Sequence, residues 1–574
     1  MKTLLGFLKP LSKKIAVTVM LKTLGTMAEL MLPYILSHIL KNVILHQSVK
    51  EILLWGLIMI IFSGIACLGN VLANRRAAFV AMQFAKNYRH ALFEKTLSLS
   101  ARQIDKFTVP SLEARITTDT YNTHHFVNMI QRMGIRAPIL FVGGIIMTLI
   151  MDVRLALVMI AIAPPLFITV IFIRKKGVPL YSKVQKSVDS MIRVVREDSV
   201  GIRVIKALSK RDYEYRRYDE VNRTLIHDET KAGIVMGSVS PIMTLFMNGG
   251  IIAVVALAAF YVNRGISSPE TVIAFMQYFT LISNALMAIT RIFMMYTKCD
   301  ASAQRVEEIL NTPEDISVMS ESDYPPVSTD AHIKFDNVNF SYRGKINNLD
   351  NISFELKKGG SLGIIGATGS GKSTLIKLLL RYYDTDSGAI YINGKNIRTY
   401  PKNVFYKMFG IAMQHDFLYN DTIEENIKFG RELSHEDVVS AAKIAQADSF
   451  ITDFADGYEH ILSQKGTNIS GGQKQRILIS RAIAAKPDIL ILDDSSSALD
   501  YKTDAALRYA LNNSMSDTTV VTVAQRVSSI KDCDIIIVLE HGKIIGMGDH
   551  DFLMQSCTEY KEISDSQMGG AFVD

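Results

Sequence analysis

The sequence predicts an all-α six-helix transmembrane domain followed by an α/β domain built on a P-loop. Three observations carry this. Apolar runs long enough to cross a bilayer fill residues 15–297 of the 574 and then stop. A short apolar strand, Leu362-Gly363-Ile364-Ile365, runs straight into the glycine-rich segment Gly366-Ala367-Thr368-Gly369-Ser370-Gly371-Lys372-Ser373-Thr374. A second apolar run, Ile489-Leu490-Ile491-Leu492, ends in the acids Asp493 and Asp494. The expected boundaries are a membrane domain over 1–300, a linker over 301–330 and the α/β domain over 331–574.

Composition narrows the class. A chain that is 48% hydrophobic and only 21% charged is too oily for a soluble enzyme of this size. The net charge of +7 does not point to nucleic acid, because the basic residues gather beside the apolar runs. Cys67, Cys299, Cys533 and Cys557 have neither metal-ligand nor disulfide-framework spacing and read as reduced thiols. The start, Met1 to Leu5, lacks a small-residue cleavage site after a short apolar core, so no cleaved signal peptide is expected.

A spanning helix needs about 20 mostly apolar residues. Six stretches fit: 16–44, 52–73, 135–151, 155–173, 233–262 and 270–297. Segments 45–51, 152–154 and 263–269 between them are short, whereas 74–134 and 174–232 are long and rich in Lys and Arg. Positive residues favour the cytoplasmic side, which puts both long segments and both termini inside the cell. Each long segment has room for two helical arms of about 25 residues, reaching roughly 35–40 Å into the cytosol. Near their turns lie Thr117-Thr118-Asp119-Thr120-Tyr121 and Val200-Gly201-Ile202-Arg203-Val204-Ile205-Lys206. Leu4 to Lys14 could lie along the membrane interface as an amphipathic helix. The polar stretch Asn311 to Asp330 reads as a connection, and the alternating Ile352-Ser353-Phe354-Glu355-Leu356 as a half-buried strand.

In a P-loop, backbone N–H groups close around phosphate oxygens, which is why Gly366, Gly369 and Gly371 carry no Cβ. Thr368, Ser370 and Thr374 complete the loop; Lys372 brings a point charge to the phosphates, and the Ser373 hydroxyl is a candidate Mg²⁺ ligand. Between the loop and the acidic strand lies Ser470-Gly471-Gly472-Gln473, which opens a helix and so aims N–H groups and a positive dipole end at an anion.

This order of motifs resembles the ATP-binding cassette of ABC transporters, over essentially the whole chain. The resemblance implies an exporter-type half-transporter that uses ATP and Mg²⁺ in the cell membrane. It implies that Tyr342 stacks on adenine, that Gln414 reaches Mg²⁺ and the attacking water, and that Asp493 is a further Mg²⁺ partner. Ser470-Gly471-Gly472-Gln473 would be the signature that meets ATP on the other cassette of a dimer, and Asp500, in Ser497-Ala498-Leu499-Asp500, part of the loop crossing between the sites. Val200–Lys206 and Ala301-Ser302-Ala303-Gln304-Arg305-Val306 resemble coupling segments of ABC exporters.

Two positions depart from the family pattern. The acid after Asp493 is usually Glu and here is Asp494; a His usually follows about 30 residues on, and here is Gln525. Phosphoryl transfer to water is mostly positioning and charge stabilisation. Asp is one methylene shorter, so its oxygens retreat by roughly 1–1.5 Å, and a misplacement of about 1 Å can cost on the order of 100-fold in rate. Gln525 can hydrogen-bond a γ-phosphate but cannot carry a proton or a positive charge. Asp494, Gln525 and Gln414 are therefore the candidate catalytic positions of a slow site. The expected partner is a second ABC half-transporter in a heterodimer, whose own site this chain's signature would complete.

The expected substrate is a hydrophobic or amphipathic small molecule or peptide leaving the cytosol or inner leaflet. Glu29 inside the first span, with Asn248, Gln277 and Asn284, are candidate cavity groups, and interhelical hydrogen bonding is the alternative use of the three amides. Two other functions fit the spacing: a siderophore-type importer of the same fold, and a non-transporting ATP-gated regulatory subunit.

Overall fold

The computed structural model describes residues 2–44, 49–264, 269–342, 344, 346–414 and 417–568. Residues 45–48 and 265–268 of the expected loops 45–51 and 263–269 lie outside the described residues. Two compact units make up the chain: residues 1–98 with 107–312, and residues 99–106 with 313–574.

The first unit is helical. Its main helices are Ser12–His38, Val49–Leu97, Thr120–Met151, Val153–Phe172, Val178–Ala207, Arg211–Gly237, Val239–Asn263 and Pro269–Leu310. Among the described residues, five helical stretches are long and apolar enough to cross a membrane, and the fourth expected span corresponds to the shorter apolar stretch Val153–Leu166. Small residues let the first two helices touch. A Cβ on Gly69 would lie 2.9 Å from the Cα of Gly25, and one on Gly25 would lie 2.9 Å from the Asn70 nitrogen. Near Pro33, which interrupts the first ladder, the Tyr278 hydroxyl donates to the Leu30 carbonyl at 2.7 Å.

Outside the apolar belt, polar cross-links take over. Val178–Ala207 and Arg211–Gly237 run antiparallel around a short turn. Asp228, buried, accepts from Lys183 at 2.7 Å and Ser187 at 2.8 Å, and Arg217 pairs with Glu197. Asp119 is buried and receives Arg305, whose Nε lies 2.8 Å away. Arg115 donates to the Arg305 carbonyl at 2.7 Å and to Glu308 at 2.9 Å, and Asn122 donates to Ser302 at 3.0 Å. The stretches Thr117–Tyr121 and Ala301–Val306 are thus tied to each other.

Two sequence expectations need correction here. The first long loop does not turn at Thr117–Tyr121, which is helical; it turns over 98–108 around the short helix Ala101–Phe107. Ser100 and Gln103 exchange side-chain bonds with each other's backbone N–H at 3.2 Å, a helix-opening pair, and Thr108 closes the segment at φ +65°. Residues 301–310 are not linker, because the helix from Pro269 continues to Leu310, held by the Asp119–Arg305 pair.

In the second unit, ten strands of the described residues form two sheets. The strands are β1 (Ala331–Phe340), β2 (Leu349–Lys357), β3 (Ser361–Gly366), β4 (Ser387–Ile392), β5 (Lys395–Asn396), β6 (Phe409–Ala412), β7 (Ile489–Asp493), β8 (Thr519–Val523), β9 (Ile535–Glu540) and β10 (Lys543–Gly548). One sheet is antiparallel, in the order β2-β1-β4-β5. The other runs β10-β9-β3-β8-β7-β6 and is parallel except at its β10 edge. β7 is buried at every residue, as a central strand of a parallel sheet with both faces covered should be. Parallel order matters most at one edge. β3, β8, β7 and β6 all end on the same side, and there they release Gly366, Ala524-Gln525, Asp493-Asp494 and Met413-Gln414.

Residues 99–106 pack within this unit. Asp105 accepts from the Tyr383 hydroxyl at 2.5 Å, and Gln103 donates to the Pro313 carbonyl at 2.7 Å. In the helical unit, Arg305→Ala leaves Asp119 as a buried carboxylate without its cation. It is expected to cost roughly 2 kcal/mol, less than a fully buried pair because Arg305 is half exposed. Denaturant unfolding in detergent measures this, and Asp119→Asn added to Arg305→Ala should recover most of the loss.

Candidate ATP site

The loop after β3 is built from backbone that only glycine adopts easily. Gly366, Gly369 and Gly371 have φ of +152°, +83° and +109°. A Cβ on Gly366 would stand 2.1 Å from the Leu539 carbonyl oxygen, so a side chain there would break the seat of the loop against β9. The helix Lys372–Leu379 starts directly from the loop and points its N-terminus into a cleft of about 500 Å³. Thr368, Gly369, Gly371, Lys372, Ser373 and Thr374 line that cleft on one side, and Gln414, Asp493, Asp494 and Gln525 on the other. Ser370 sits beneath it, accepting from the Gly542 N–H at 3.0 Å through its carbonyl.

Lys372 Nζ donates to the carbonyls of Gly366 at 2.7 Å and Ala367 at 2.9 Å. Burial pushes its pKa down, while the charges of Asp494 and Asp493 oppose that shift. Tyr342 lies beside the loop helix, its hydroxyl 3.4 Å from the Thr374 hydroxyl and its ring edge-on to Phe340 and Tyr383. Asn348 fixes it by accepting the Tyr342 N–H at 3.0 Å.

The acids are deep. Asp493 and Asp494 are both buried. Asp494 sits in the left-handed region, φ +51°, and its N–H donates to the Val523 carbonyl at 2.9 Å. One carboxylate oxygen, Oδ2, accepts from two amides: Gln414 Nε2 at 2.8 Å and Gln525 Nε2 at 2.8 Å. The other, Oδ1, is buried with no hydrogen-bond partner. Burial pushes the Asp494 carboxyl above the usual range, and the two amides and Lys372 pull it back. The same cleft is lined by a hydroxyl, an amide and a second carboxylate, a donor set that suits a hard cation and its water. The residues that would hold Mg²⁺ are Ser373, Gln414 and Asp493.

The signature segment is made rigid by its own sequence. Ser470 caps the helix Gly471–Ala484: Gln473 N–H donates to the Ser470 hydroxyl at 3.2 Å, and Ser470 N–H donates to the Gln473 side chain at 2.9 Å. No atom lies within 4 Å of a Cβ placed on Gly471, so this helix end is open; one on Gly472 would come within 3.0 Å of the Ala498 carbonyl oxygen. Asp500 caps the helix Tyr501–Ser514 through the Thr503 N–H at 2.9 Å, which holds its carboxyl below the usual range.

The candidate solute groups are placed differently. Glu29 is in a two-point ion pair with Arg136, at 2.5 and 3.1 Å. Asn248, Gln277 and Asn284 are exposed on the helical unit. Sequence reading missed Asn348, His541 and Gly542, which also line the cleft. The last two form the tight turn between β9 and β10 with φ of +47° and +79°, and a two-residue turn ending in glycine between apolar strands was the available signal. It also missed Gln567, which bonds the backbone on either side of Arg526.

Comparison with known proteins identifies the family and the fold. Residues 15–286 match the ABC transporter transmembrane region, and residues 349–497 match the ABC transporter family. The uncharacterized ABC transporter ATP-binding protein YfiB of Bacillus subtilis (strain 168) is 33% identical over 573 residues, 99% of each chain. Rv1273c of Mycobacterium tuberculosis (strain ATCC 25618 / H37Rv), described in the same words, is 29% identical over 571 residues, 99% of this chain and 98% of its own. The structure of a bacterial Atm1-family ABC exporter with ATP bound superposes with a TM-score of 0.80, covering 99% of both chains at 22% identity, which is a likeness of fold. A helical membrane region and an α/β cassette with its phosphate loop, paired acids and signature occupy one polypeptide; the chain belongs to the ABC transporter family, as a multi-pass protein of the cell membrane with its cassette in the cytoplasm.

Proposed function

We propose that this chain is one half of a heterodimeric exporter that moves a hydrophobic or amphipathic solute out of the cytosol or inner leaflet, and that its own ATP site cleaves slowly. The observation that carries the reading is the Asp494 carboxylate. It is a methylene short of the usual Glu, and both amides nearest to it converge on a single oxygen. A water-orienting base must reach the γ-phosphate's attacking water at hydrogen-bond distance. Asp494 is a shorter acid with its Oδ2 taken up by Gln414 and Gln525, and neither glutamine can relay a proton.

Binding groups are not weakened in the same way. Lys372 supplies charge to the β/γ-phosphates, the loop amides cradle them, and Tyr342 offers a face to adenine. Ser373, Gln414 and Asp493 would hold Mg²⁺, which would add positive charge beside the phosphates. The signature helix end, capped by Ser470 and open at Gly471, would complete a site on the partner's P-loop. This division makes an asymmetric pair the productive assembly, with chemistry at the partner's acids and nucleotide retention here.

On the solute side, Gln277 and Asn284 lie seven residues apart on one exposed stripe of the last membrane helix. This supports a polar lining with apolar surroundings. Because Arg136 already neutralises Glu29, the pair serves a zwitterionic or amphipathic solute better than a bare cation.

Two measurements test the proposal. ATPase of the purified chain alone should be at least tenfold below that of a co-expressed pair whose second half carries Glu and His at the matching positions; equal rates would refute the heterodimer. Asp494→Glu with Gln525→His should raise turnover of this chain by about tenfold or more with little change in ATP affinity. Steady-state kinetics of the double variant reads that directly.

A further inference from the structure

The last helix described, Thr558–Met568, lies against the strand-and-loop layer that carries Gln525. Tyr560 and Ser564 are buried, and Tyr560 belongs to the same cluster as Ala524, Val527 and Ile530, with Ile563 packed against it. Seven residues after Tyr560 the same helix face presents Gln567. Its side-chain oxygen accepts the Val527 N–H at 2.8 Å, and its nitrogen donates to the Gln525 carbonyl at 2.8 Å.

These two bonds close around one residue, Arg526, as a neighbouring strand would. β8 stops at Val523, and the Ala524 N–H is the last along this run to reach the sheet, at the Ile364 carbonyl, 3.1 Å. Beyond it the backbone leaves the ladder. Where the ladder ends, Gln567 takes over, and the Gln525 side chain it steadies is the one that reaches Asp494 at 2.8 Å. Arg526, between the two clamped groups, lies over the Tyr501 ring at 4.6 Å and donates to the Leu499 carbonyl at 3.3 Å. The clamp therefore also braces the loop leading to Asp500.

We propose that Gln567 is a positioning residue for the nucleotide site: its amide sets the backbone of Gln525, so that docking of the C-terminal helix tunes how the site reads a γ-phosphate. This rests on the reading of Gln525 as the γ-phosphate contact. Side-chain amide clamps of this kind act over a long sequence separation, here 40 and 42 residues, and leave the phosphate loop untouched.

The test uses the full-length chain in lipid nanodiscs, with ADP and the β,γ-imido analogue of ATP as probes. Gln567→Leu should lower the ratio of ATP-analogue to ADP affinity about fivefold, with ADP affinity unchanged, and should speed hydrogen exchange at the Val527 amide. Gln567→Glu keeps the acceptor and loses the donor, so it should fall between the wild type and Gln567→Leu, and it remains informative if the leucine variant folds poorly. Gln525→Ala separates the two readings. If Gln525→Ala lowers the ratio and neither Gln567 variant does, the clamp is refuted; if Gln525→Ala leaves the ratio unchanged, the underlying role of Gln525 fails and the clamp with it. Equal losses of ADP and analogue affinity in Gln567→Leu would mark a merely structural contact and also overturn the proposal.

Discussion

A single carboxylate oxygen, Asp494 Oδ2, receives hydrogen bonds from two glutamine amides that arrive from different strands. The rest of the site can be understood from that convergence. Gln414 follows β6, Asp494 follows β7 and Gln525 follows β8, so three neighbouring parallel strands deliver one partner each. Their parallel order brings these ends to one edge, and the fully buried β7 anchors the acids there. The run Ile489-Leu490-Ile491-Leu492 thus fixes where the acids stand as firmly as the acids fix the chemistry.

Legibility in the sequence followed the range of the interactions. The P-loop, the paired acids and the signature are local, each a few residues long, and their backbone demands can be read from glycines and caps. Ser470 with Gln473 is such a case: the pair caps its own helix, and the spacing alone exposes it. Long-range partners could not be read. Glu29 stood out as a costly charge in an apolar stretch, but its counter-ion, Arg136, lies 107 residues away. Gln567 carried no local signal, since its meaning comes from a backbone 40 residues upstream.

The misplaced loop tip teaches a narrower lesson. Thr117–Tyr121 is polar and looked like a turn, yet its polarity serves a buried contact, Asp119 with Arg305, inside a continuous helical arm. The true tip was marked by Ser100-x-x-Gln103 and by Pro110, both helix-boundary signals. Capping chemistry located the end of the arm better than polarity did. The same contact explains why the helix beginning at Pro269 runs on past the expected start of the linker.

A slow site decides the fate of one bound nucleotide. Full-length protein in lipid, in excess over labelled ATP with Mg²⁺, can be quenched at intervals to see what it holds. A site of this design should return the label mainly as intact ATP after many minutes. Cleavage of the bound nucleotide within seconds would contradict it.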